Sequence, residues 1–80
     1  MTDQAINVLN VVGREAADGY TVQKKAGLSP QELVSAVKEL LKESVIQVEG
    51  DLDISTIGRA YIWVPPNRKA LAAIKSGTAL

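Results

Sequence analysis

The segment Thr21–Ile46, TVQKKAGLSPQELVSAVKELLKESVI, constrains this chain most, because it reads as two helices joined by a tight turn. Three start signals coincide ahead of the second of them. Ser29 can accept from an early backbone N–H, Pro30 suits the first helical position where no donor is needed, and Glu32 completes a capping box three residues after the cap. Leu33, Val37, Leu40 and Ser44 then recur at helical spacing, with Val34 and Leu41 at the edge of the stripe. One face of this helix must therefore be buried, and the opposite face stays free. Ahead of it, Thr21 is placed to cap a short helix through Ala26, and Ala26-Gly27-Leu28 supplies a turn in which Gly27 takes a positive φ. Residues 21–43 together have the pattern of a helix-turn-helix.

The rest of the chain surrounds this pair. Ala5, Ile6, Leu9, Val12, Gly13 and Ala16 line one side of a first helix over Asp3–Ala17, which Asp18-Gly19 ends. Gly13 inside it costs roughly 1 kcal/mol relative to Ala, so a close approach to a neighbouring helix is its expected use. Tyr20-Thr21-Val22 can add a very short strand. The third helix runs from Pro30 to about Glu43, after which Val45–Glu49 alternates apolar and polar residues as a half-buried strand does. Its partner is Arg59–Val64, rich in aromatic and β-branched residues and stopped by Pro65-Pro66. The connection over residues 50–58 is long for a hairpin, so either the strands extend into it or its tip projects. Asn67 can cap a last helix that carries Leu71 and Ile74 and ends near Gly77. The expected fold is α+β: a three-helix core, a β-hairpin over about 45–64 and a short final helix, in one domain spanning 1–80.

Composition narrows the function classes. The 80 residues are 46% hydrophobic, enough for one small core. Absence of Cys and His removes the usual structural zinc ligands and the commonest general base. The remaining carboxylates, Ser and Lys residues show no nucleophile–base constellation, so neither an enzyme, a cofactor nor a metal site is expected. With no long apolar run and no secretory signal, a soluble cytoplasmic chain without a membrane partner is expected. Nine basic and nine acidic residues cancel, so any affinity for nucleic acid must come from local charge placement.

Such placement exists on the third helix. Steps of 100° per residue put Gln31, Ser35, Lys38 and Lys42 opposite the buried stripe, with Glu32, Glu39 and Glu43 as an acidic flank. Gln31 has the chemistry to pair with adenine, Ser35 to meet a base edge or phosphate, and Lys38 and Lys42 to meet guanine or the backbone. The same residues also suit an ordinary solvated face, in which Glu39 and Lys42 form an i,i+3 pair. Lys24 and Lys25 can contact phosphate or simply stand at the surface, and Glu32 is better explained as a capping residue than as a base reader.

Other positions point to partners of another kind. Tyr61 and Trp63 alternate with Ala60, Ile62 and Val64, so one set faces the core; packing is the expected role of Trp63, whose indole N–H needs a partner or a wet edge. Leu52, Ile54 and Ile57 in the connection suggest either a strand ladder folded back on the core or an apolar patch for another protein. Val11, off the buried face of the first helix, could join Ala70–Ile74 of the last helix in a homodimer interface.

The arrangement resembles the winged helix-turn-helix family, in particular compact transcription regulators of the multiple-antibiotic-resistance-regulator type. The resemblance rests on Gly27-Leu28-Ser29-Pro30, on Leu33, Val37 and Leu40, on Val45-Ile46 entering the first wing strand, and on Gly58-Arg59 before Tyr61-Ile62-Trp63-Val64. It implies a third helix in the major groove of double-stranded DNA and a wing whose Arg59 lies near phosphate. Ser44 stands where these families often have Gly, and Asp51 and Asp53 place carboxylates in the wing, where phosphate would repel them. The implied function is a small DNA-binding transcriptional regulator; the alternative is a winged-helix protein-interaction module that does not bind DNA.

Overall fold

The computed structural model of the 80-residue chain describes residues 1–66. The described residues form an α+β unit: α1 (Asp3–Arg14), β1 (Ala17–Asp18), α2 (Gly19–Ala26), α3 (Pro30–Lys42), β2 (Gln47–Glu49) and β3 (Tyr61–Trp63), with a single 3-10 turn at Ile57–Arg59 between the last two strands. The expected final helix, with Asn67, Leu71 and Ile74, lies outside the described residues.

Helix α3 forms where its local signals put it. The Glu32 N–H donates to Ser29 Oγ at 3.2 Å and the Ser29 N–H donates to the Glu32 carboxylate at 2.9 Å, so both halves of the capping box are made. Its far end is equally definite. Ser44 adopts φ 60°, its N–H donates to the Leu41 carbonyl at 3.0 Å, and the Val45 N–H donates to the Leu40 carbonyl at 3.2 Å. This is a Schellman stop, closed by buried Val45 beside Leu40. Ser44 therefore does not continue the buried stripe; it is exposed and occupies the left-handed position that glycine usually takes, so the stop is sharp without glycine. At the end of α2, Gly27 has φ 68° as its sequence context requires.

Helix α1 departs from its expected span. It stops at Arg14, three residues short of Ala17, because Glu15 turns extended (φ −157°, ψ 127°) and Ala17–Asp18 become a strand. Alanine favours helix, yet backbone pairing of Ala17 with Ile62 and of Asp18 with Tyr61 outweighs that preference. The short strand thus lies at Ala17–Asp18, not at Tyr20–Val22, and α2 begins at Gly19 ahead of Thr21. Thr21 is not the cap: its hydroxyl donates to the Asp18 carboxylate at 2.6 Å across the β1–α2 corner. Gly13 is exposed, so it provides no close helix approach. That role falls to Gly19, where a Cβ would collide with the Ile57 carbonyl and whose N–H donates to the Ala60 carbonyl at 2.6 Å.

The sheet order is β1-β3-β2, with β3 antiparallel to both neighbours. Its inner face packs Ile62 into a core formed by Val8, Leu9 and Val12 of α1, Val22 of α2, and Leu33, Val37 and Leu40 of α3. Burial of each large aliphatic side chain contributes about 1.5–3 kcal/mol, so this shared core, not the two- and three-residue strands, carries the stability. The β2–β3 connection folds back onto it. The Thr56 and Ile57 N–H groups donate to the Asp53 carbonyl at 3.0 and 2.7 Å, and Ile57 is only 1% exposed against α2 and α3.

Candidate functional site

Gln31, Ser35, Lys38 and Lys42 share the exposed face of α3, while Leu33, Val34, Ala36, Val37 and Leu40 are buried behind them. The acidic flank is engaged elsewhere. Glu32 accepts from Gln4 Nε2 at 2.7 Å as well as closing its cap, and Glu39 accepts from the Thr2 N–H at 2.8 Å. Two of the three flanking carboxylates therefore face α1 and hold its N-terminus against α3, leaving Glu43 exposed near the end of the ridge. The Ser29 backbone N–H and hydroxyl, with a smaller contribution from Gln4, hold the Glu32 carboxyl below its ordinary value against the opposing effect of partial burial.

The other three candidate cations do not form one patch. Lys24 places its ammonium 5.8 Å from the centre of the Tyr20 ring, a weak cation–π contact at an exposed site. Tyr20 in turn lies against Gly58, the residue before Arg59 in the connection. Lys25 instead lines an open groove of about 480 Å³ with Asn7, Asn10, Val11, Arg14 and Glu15 of the α1 segment. Asn7 Nδ2 donates across this groove to the Ala26 carbonyl at 3.1 Å, and Asn10 Oδ1 is covered with no hydrogen-bond partner among the described residues. Sequence periodicity placed Val11 off the buried face, but gave no sign of a groove, which depends on the crossing of α1 and α2.

The connection differs from a freely projecting tip. Arg59 is exposed but ends a 3-10 turn anchored by Ile57, and Leu52 is partly covered by the core. Ile54, 52% exposed, is the one residue of the expected apolar trio to face solvent strongly. Asp51 and Asp53 are both exposed, and the Asp53 carboxyl is held low first by the Ser55 backbone N–H and then by its hydroxyl, each at 3.0 Å. On β3, Ile62 points inward while Tyr61 and Trp63 lie beside each other on the outer face as a tilted pair, with ring centres 6.0 Å apart. Trp63 is therefore half-buried against Tyr61, outside the core.

No protein-family model, curated protein or solved structure matches this chain. Among the described residues, no helix is long and apolar enough to cross a membrane.

Proposed function

We propose that this chain is a small winged-helix DNA-binding protein that regulates transcription, reading the major groove of duplex DNA with α3. The observation that carries the reading is the exposed Gln31-Ser35-Lys38-Lys42 ridge, set on a rigid capped helix and relieved of two neighbouring carboxylates by their contacts with α1. A helix of this kind can present donors and acceptors to base edges while its lysines neutralise phosphate. The order of helices and strands, with β3 between β1 and β2, is compatible with the winged-helix layout. Arg59 and Lys24 would meet the flanking backbone. Lys25, turned into the α1 groove, is the weakest of the assignments.

The competing reading, a protein-interaction module docking through an apolar wing, loses support from the burial of Ile57 and the partial cover of Leu52. Titration of isotope-labelled protein with a short duplex at low and then moderate salt separates the two. DNA binding moves the amides of Gln31, Ser35, Lys38, Lys42 and Arg59, and the shifts fade as salt rises. Replacement of both Lys38 and Lys42 by Ala reduces the salt slope by about two, whereas Ile54→Ser leaves affinity unchanged. An unchanged spectrum at low salt would sink the proposal.

A further inference from the structure

We propose that the outer face of the sheet is a docking surface for an arginine-bearing peptide segment of a partner protein, with Tyr61 and Trp63 as the stacking platform and Asp18 and Glu49 as its anionic walls. Residues directly opposite one another in antiparallel strands share a face. Asp18 of β1 and Glu49 of β2 both pair with Tyr61 of the central strand, so an acidic residue stands opposite Tyr61 on each neighbouring strand. Gln47 pairs with Trp63 on the same face and adds an amide. The aromatic pair is tilted by 37°, Tyr61 is 46% exposed, and the three strands contain two carboxylates and no basic residue.

Charge selects the occupant. The face of an aromatic ring carries negative quadrupole density, and flanking carboxylates reinforce it, so a cation is attracted from both sources at once. Arginine fits better than lysine because its planar guanidinium stacks on the rings while its in-plane N–H groups donate to a carboxylate at the side. The Thr21 hydroxyl, donating to Asp18 at 2.6 Å, helps to keep that carboxylate ionised and fixed in place. The same negative face would repel a nucleic-acid backbone, so its chemistry is distinct from that of the α3 ridge.

Trp63 is the single Trp of the chain, so its fluorescence reads the site directly. A hexa-arginine peptide should change the emission of the full chain saturably, hexa-lysine should bind several-fold more weakly, and hexa-glutamate should do nothing. Glu49→Gln should weaken hexa-arginine binding about fivefold and Tyr61→Ser about tenfold, while Lys38→Ala with Lys42→Ala leaves it unchanged. Both site variants are at exposed positions, and unchanged thermal melts show that they fold. Absence of a saturable response, equal affinity in Glu49→Gln and Tyr61→Ser, or an emission change produced by raising protein concentration alone would overturn the proposal, the last by making a second copy the occupant.

Discussion

Helix α3 and the connection between β2 and β3 are held in place by different kinds of interaction. The helix carries its own instructions: a box at Ser29 and Glu32, a proline at its first position, a buried stripe, and a stop at Ser44. The connection has only the local turn at Asp53 and Ser55, and otherwise depends on Ile57 seated against α2 and α3 and on the room that Gly19 leaves for the Ile57 carbonyl. Damage to the caps of the helix should therefore be local and graded, whereas loss of Ile57 from the connection should reach the whole core. The difference also bears on function, since the α3 ridge is presented by a helix whose ends are fixed by local caps, whereas Arg59 ends a turn held by tertiary contacts.

Ile57→Ala is the strongest way to break this contrast. Its side chain lies in the core, so truncation should cost about 3–4 kcal/mol through lost burial and a residual cavity, measured by urea unfolding. A cost under 1 kcal/mol would show that the connection is not part of the core. Gly19→Ala should come next, destabilising by about 2–3 kcal/mol, because its methyl group meets backbone and not a flexible side chain. Ser29→Ala should cost about 1 kcal/mol and remain local, with hydrogen-exchange protection reduced in the first turn of α3 and retained in Ile62.

Two smaller effects sharpen the helix side of the comparison. Ser44→Gly should stabilise by about 0.5–1 kcal/mol, since it relieves a left-handed residue at the Schellman position, partly offset by greater freedom in the unfolded chain. Glu32 contributes through its ionised form, because its folded pKa lies below the unfolded one. That contribution is complete above the ordinary carboxylate range and disappears as pH falls through the folded value. Unfolding curves across acid pH should accordingly be flatter for Glu32→Gln than for the parent chain.

The α3 ridge was legible from sequence because every signal that shapes it falls within one or two helical turns. Gln31, Ser35, Lys38 and Lys42 are related by helical geometry alone, and the capping box sets the register from which they are counted. The division of Lys24 from Lys25 was not legible: the residues are adjacent, and only the positions of Tyr20 and α1 send one toward the connection and the other into the groove. Nor was the fate of the acidic flank, because Glu39 meets the Thr2 N–H across 37 positions of chain.

By itself, the sequence determined the turn at Gly27 after α2 and where α3 caps and buries, since those choices are settled by hydrogen bonds and side-chain periodicity over a few residues. Tertiary structure decided that Ala17–Asp18 leave α1 for the sheet, that Ile57 returns to the core, and that Asp18, Tyr61 and Glu49 stand side by side. Helix propensity at Ala16 and Ala17 is worth only tenths of a kilocalorie, too little to oppose strand pairing and burial that become possible only when β3 arrives.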